Sequence, residues 1–186
     1  MPSRFLRDLI EGPDALPPGH AIDLGCGIGS LAIYLAQYGW QVTGVDVVER
    51  ALRAARRRAD KSGVDVTFVR GDVTRLDQSG ICGPFELLLD CGCFHNMSDD
   101  ERRRYVESIT RIATENALLV LFTLGPGRRP MWPRGAQHVD VERHFSPGWT
   151  IVRSGPKDGT PYLLPPAKSA TWYRLRRNKT AVASAA

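Results

Sequence analysis

Four short apolar runs constrain this chain most. Ala21–Leu24, Val42–Asp46, Val66–Val69 and Phe85–Asp90 are four to six residues long, and each leads within two residues into a glycine or an aspartate. Runs of that length bounded by turn residues read as buried strands, and helical periodicity fills the gaps. Leu31, Leu35 and the small or apolar residues between them form a helix stopped by Gly39. Val48–Ser62 is an Ala/Arg-rich helix with Gly63 behind it. Ser98-Asp99-Asp100-Glu101 is a capping box: Ser98 accepts from the amide three residues on and Glu101 reaches back, starting a helix that runs to about Ala113. Ala117–Leu124 is a fifth, fully buried strand, and Val139–Phe145 a short helix. Trp149–Val152 and Thr171–Leu175 are two final strands separated by the Pro/Gly-rich Gly155–Lys168. Near-continuous apolar strands alternating with helices predict an α/β fold, with a mostly parallel sheet covered on both faces.

One domain suits the 186 residues: a short amino-terminal segment over 1–18, a core over 19–177 and a tail over 178–186. There is no internal repeat, and nothing fixes an oligomeric state. Hydrophobic residues at 42% and charged residues at 24% exclude wholesale disorder. The longest purely apolar run, Ala117–Phe122, is too short to cross a bilayer. Arg4, Arg7, Asp8 and Glu11 interrupt the first dozen residues, which leaves no apolar signal region and predicts a cytoplasmic protein. Four unevenly spaced cysteines do not make a secreted disulfide scaffold. The net charge of +5 permits an anionic partner without demanding nucleic acid. The basic clusters Arg56–Arg58, Arg102–Arg104, Arg128–Arg129 and Arg174–Arg177 read as solvated faces.

In a parallel sheet, ligands bind beyond the carboxyl ends of the strands, at the switch point. The strand ends here carry Asp23-Leu24-Gly25-Cys26-Gly27-Ile28-Gly29, Asp46, Gly71-Asp72 and Asp90-Cys91-Gly92-Cys93. Glycines in the first group allow a sharp turn and a close ligand approach. A dinucleotide fingerprint would need glycine at position 30, which is Ser30, and Asp23 would repel a pyrophosphate but attract an ammonium group. Asp46, 21 residues after Gly25, suits the two hydroxyls of a ribose, or the cap of the following helix. Asp72 can accept from an exocyclic amine while Val73 packs on its ring. Each acid alone is an ordinary turn residue, and the joint pattern is the stronger signal.

A-I-D-L-G-C-G-I-G-S-L-A-I-Y-L-A together with D-C-G-C-F-H-N-M resembles the class I S-adenosylmethionine-dependent methyltransferases over residues 19–177, and within them the thiopurine and tellurite-resistance branch. The resemblance implies a Rossmann-like, doubly wound seven-stranded sheet whose last strand is antiparallel. It implies that S-adenosylmethionine is the cofactor. Asp23, Gly25 and Gly27 would hold the methionine part, Asp46 the ribose, and Asp72 and Val73 the adenine, with Cys26, Gly29 and Val47 as further cofactor-binding residues. Asp90 and Cys91 would line the floor near the sulfonium. The 22 residues ahead of the loop are fewer than the amino-terminal lid usual in that branch, and Pro2–Glu11 supplies at most one helix.

The acceptor is expected to be a small, apolar or aromatic molecule, with a thiol favoured. His95, just past the fourth strand, is the candidate base, or else it only shapes the pocket. Phe94, Met131, Trp132 and His138 are candidate substrate contacts, the last three in or beside a Gly/Pro/Arg-rich loop. No metal is expected. Cys91-Gly-Cys93-Phe-His95 offers three ligands and no fourth, and Thr123-Leu124-Gly125 lacks the acids of a magnesium site. Nucleic acid is disfavoured as a partner, because D-C-G-C-F replaces the Asn/Asp-Pro-Pro-aromatic signature of amino-methylating DNA enzymes and no Pro-Cys nucleophile is present. The alternatives are a nucleic-acid or protein methyltransferase, or a cofactor-binding protein without turnover.

Overall fold

Side-chain alternation along the central strands builds two cores. Ala21, Leu87, Leu89, Val120 and Phe122 face one side of the sheet, and Ile22, Leu24, Leu88, Leu119 and Leu121 face the other. The computed structural model describes residues 2–126, 134–156 and 170–179. Among them the strands are β1 (His20–Leu24), β2 (Gln41–Asp46), β3 (Thr67–Arg70), β4 (Phe85–Asp90), β5 (Ala113–Leu124), β6 (Trp149–Pro156) and β7 (Ala170–Arg177). The helices are α1 (Arg4–Ile10), α2 (Ser30–Gln37), α3 (Glu49–Ser62), α4 (Asp99–Ile112) and α5 (His138–Phe145). The Pro/Gly-rich stretch after residue 156 lies largely outside the described residues.

The sheet runs β3-β2-β1-β4-β5-β7-β6. β1 to β5 pair in parallel, and β7 is antiparallel to both β5 and β6. This is the seven-stranded, doubly wound arrangement with an antiparallel last strand. The first core packs α1, α2 and α3 on one face, and the second packs α4 and α5 on the other. The switch in strand order falls between β1 and β4, where Leu24 lies opposite Asp90.

The boundaries shift where pairing overrides local pattern. β5 starts at Ala113, four residues before its apolar run, because Ala113 already pairs with Phe85; the register then breaks, and Asn116 sits at φ 64° inside the irregular stretch. β6 and β7 outrun their apolar segments because each supplies the other's ladder, with a bulge between Ile151 and Arg153. α4 keeps its predicted start: Ser98 Oγ accepts from Glu101 N and Glu101 Oε2 accepts from Ser98 N at 2.7 Å, a cap worth about 1 kcal/mol. α1 buries Phe5, Leu6, Leu9 and Ile10, and Phe5 stacks on Trp172 at 6.1 Å. Arg102 departs from the solvated-face reading of its cluster. It is 5% exposed, because it shares the inward stripe of α4 with Tyr105, Ile109 and Ile112. Among the described residues no helix is long and apolar enough to cross a membrane.

Candidate active site

The strands β1, β2 and β4 carry three aspartates near their carboxyl ends in staggered register, with Asp23 opposite Gly44 and Leu89 and Leu24 opposite Asp90. Asp23 points to the α2 face, and its Oδ2 accepts from Ala32 N at 3.1 Å. Asp46 accepts from Gly27 N and Val48 N, both at 2.8 Å, so it fixes the turn leading into α3 and braces the glycine loop. Asp90 is fully buried and accepts from the amides of Gly92, Cys93 and Phe94 at 2.8, 2.7 and 3.0 Å. Asp72 is exposed after β3, with Thr74 N and Thr74 Oγ1 each donating to its Oδ1 at 2.8 Å. Val73 beside it is buried, whereas Val47 after Asp46 is 58% exposed.

The glycine loop folds back on β2, with Gly25 N and Cys26 N both donating to Val45 O at 2.8 and 3.0 Å. Gly25 has φ +70°, and a Cβ there would stand 2.4 Å from Cys93 Sγ, so only glycine lets the two strand-end segments meet. Gly27, at φ +55°, has open space where a Cβ would point. Gly29 caps α2. Cys26 turns its sulfur inward, toward Gly44, rather than to the cleft. Cys93, which sequence reasoning left out of the cofactor set, lies under the loop and donates its thiol to Leu24 O at 3.4 Å.

Burial raises the Asp23 carboxyl to about 7, aided by the like charges of Asp90 and Asp46 and opposed by the Ala32 amide. Burial, with the same acids, also pushes the Cys91 and Cys93 thiols up. Among the described residues no ion pair reaches Asp23, Asp46 or Asp90. An acid cluster without a cation, next to an open glycine cradle and the exposed apolar Ile28, Val47 and Val48, fits a ligand that carries an ammonium, a sulfonium and an apolar ring. S-adenosylmethionine has all three.

On the far side of β4, the turn Phe94–Asn96 carries the acceptor-side candidates. His95 is 4% exposed, and its Nδ1 lies 3.3 Å from Phe122 O at the end of β5. A carbonyl only accepts, so Nδ1 bears the proton and the neutral ring keeps its Nε2 lone pair. Burial lowers the His95 pKa, with Asp90 partly offsetting it. The ring is neutral at pH 7 as a result.

Phe94 departs from the expected pocket. Its ring is wholly buried against Tyr105 and Phe145, because the turn aims it under α4 rather than into the cleft. His138 opens α5, stacks on Tyr173 at 5.6 Å and holds its Nε2 3.2 Å from Glu142 Oε1. Met131 and Trp132 lie outside the described residues. No group of three or more His, Cys, Asp and Glu among the described residues is placed to hold a metal ion.

This sheet order and this site define a class I S-adenosylmethionine-dependent methyltransferase, with S-adenosylmethionine as cofactor. The family model described as "Methyltransferase domain" matches residues 21–116, just over half of the chain, and the chain belongs to that family. It is similar to ribosomal RNA small subunit methyltransferase C of Alcanivorax borkumensis, 33% identical over 61% of this chain and 32% of that protein. It is also similar to the 2-heptyl-1-hydroxyquinolin-4(1H)-one methyltransferase of Mycobacteroides abscessus, 28% identical over 72% of this chain and 60% of that protein. The chain thus spans about a third and about three fifths of these relatives. A solved structure from work on the conversion of a disulfide bond into a thioacetal group during echinomycin biosynthesis superimposes with a TM-score of 0.77 and 25% identity, covering 95% of this chain and 82% of that one.

Proposed function

We propose that the protein transfers the methyl group of S-adenosylmethionine to a small, apolar or aromatic acceptor in the cytoplasm, with thiols ahead of phenols and amines, as in the thiopurine and tellurite-resistance branch. One observation carries this reading. Each strand-end carboxylate is already committed to amides or to Thr74, and Asp90 alone receives three amide hydrogen bonds. Among the described residues of the turn after β4, His95 is a buried imidazole whose pKa burial lowers. Such a site suits an acceptor that ionises by itself near neutral pH, since positioning and exclusion of water then suffice.

When bound, S-adenosylmethionine supplies an electrophilic methyl group on a sulfonium. Asp23 binds the ammonium, Asp46 the ribose hydroxyls, and Asp72 and Val73 the adenine, with the open space at Gly27 admitting the methionine part. Asp90 rigidifies the turn after β4, and Cys91 floors the site. His95 orients the acceptor and can take a proton at Nε2. The quinolone enzyme of M. abscessus, by its name, acts on a small aromatic heterocycle, and the echinomycin work concerns sulfur chemistry; both support this substrate class.

The test is a panel of thiols, phenols, heterocyclic amines and ribosomal RNA with labelled methyl donor. Thiols and aromatic small molecules are expected to be labelled. Labelling of RNA in preference to every small acceptor would place the chain with the ribosomal RNA enzyme instead.

A further inference from the structure

We propose that Arg102 is a positioning residue that fixes His95 beside the acceptor by tying the turn after β4 to the segment returning after β5. The inference rests on the acceptor lying at His95, as argued above.

Arg102 sits in the second turn of α4 and is 5% exposed. Its Nε donates to Phe94 O at 3.2 Å, and its Nη2 donates to Gly135 O at 2.5 Å. Its guanidinium lies 4.9 Å over the Phe94 ring. Charge balance comes from Asp99 and Asp140, 3.9 and 4.0 Å from Nη1. The two segments also meet directly, since Gly135 N donates to His95 O at 2.8 Å. The returning segment is closed at its base by Ala136 N donating to Leu124 O at 2.8 Å. His95 is therefore gripped on both sides. Arg102 holds the carbonyl before it, and Gly135 holds its own carbonyl while the other arm of Arg102 holds Gly135.

Packing alone does not call for arginine here. The same stripe of α4 carries Tyr105, Ile109 and Ile112, and an apolar side chain would fill the space without burying a charge. What the guanidinium adds is a rigid planar fork that bonds two carbonyls on two chain segments at a set angle. Lysine, a point charge on a flexible stem, does not reproduce it. The fork touches neither cofactor nor acceptor and acts through the backbone that carries His95, whose ring is then aimed by its bond to Phe122 O.

Two variants test this. Arg102→Lys keeps the charge and the stem, and Arg102→Met keeps the stem alone. The readouts are amide hydrogen exchange, the nitrogen spectrum of the His95 ring, affinity for the demethylated cofactor by calorimetry, and steady-state kinetics with thiophenol. In both variants Gly135 N–H should exchange about tenfold faster or more, while Ala32 N–H and the cofactor-product affinity stay within about twofold. The His95 spectrum should lose its single Nδ1–H form, and KM for thiophenol should rise about tenfold with a smaller change in kcat. If Arg102 only supports the fold, exchange will quicken evenly across β4 and α4 in step with a lower Tm, and the His95 spectrum will not move; either finding overturns the proposal. Should Arg102→Met not fold, Arg102→Lys decides alone. If the wild type does not methylate thiophenol, that counts against the acceptor class, and exchange and the His95 spectrum still decide the role of Arg102.

Discussion

Lowering the pH from 7.5 to 6 should weaken cofactor binding through Asp23. The Asp23 carboxyl stands at about 7 because it is buried and faces Asp90 from β4 and Asp46 from β2. The thiols packed around it, Cys26, Cys91 and Cys93, are all pushed up and stay neutral, and burial lowers the His95 pKa. With a pKa of about 7, the ionised fraction of Asp23 falls from about three quarters at pH 7.5 to about one tenth at pH 6. If the ammonium binds the ionised carboxylate, affinity should fall about eightfold, or about 1.2 kcal/mol, and binding at pH 6 should release close to one proton. Titration calorimetry with the demethylated cofactor, in buffers of different ionisation enthalpy, reads both quantities. Asp23→Asn should bind weakly with a flat pH profile. The same shift sets stability: the folded state holds this proton more tightly than the unfolded chain, so the contribution is complete below about pH 4 and is lost as pH rises through about 7. The stability difference between the wild type and Asp23→Asn should therefore shift in favour of the variant as pH rises between those values. A constant affinity between pH 6 and 7.5, with no proton released, would refute the reasoning.

Two further substitutions follow from the same geometry. Asp46→Ala removes the acceptor for Gly27 N and Val48 N along with the proposed ribose contact, and should cost roughly 1.5–3 kcal/mol of cofactor-product binding in calorimetry; unchanged binding contradicts the assignment. His95→Ala should leave the rate with a low-pKa thiol within about tenfold, since general-base catalysis contributes about a hundredfold or more. A far larger loss with cofactor affinity intact makes His95 a base and moves the acceptor toward a hydroxyl.

The strand-end acids are legible because Asp46 and Asp90 close short apolar runs and Asp23 sits one residue before the end of another, so parallel pairing of those strands leaves all three near one edge of the sheet. The start of β5 was not legible. Ala113 is recruited by Phe85 across a register break that no local pattern announces. Phe94 and His95 are adjacent in a turn where sequence spacing says nothing about side-chain direction, so the sequence does not reveal that Phe94 is a core ring. Arg102 hid in a run of three arginines. Its signal was the period, since residues 102, 105, 109 and 112 form one buried face, while Arg103 and Arg104 on either side of that face are exposed. His138 looked like part of a loop rich in aromatic and basic residues, but it opens a helix and is engaged by Glu142.

Direct competition tests the central claim most sharply. Thiophenol, phenol, aniline and ribosomal RNA are offered together at pH 7.5 with limiting labelled S-adenosylmethionine, and the initial distribution of label is counted. The account predicts that most of the label goes to the sulfur of thiophenol, with the same order of preference when each acceptor is offered alone. Label on RNA in excess of all three small acceptors would contradict it.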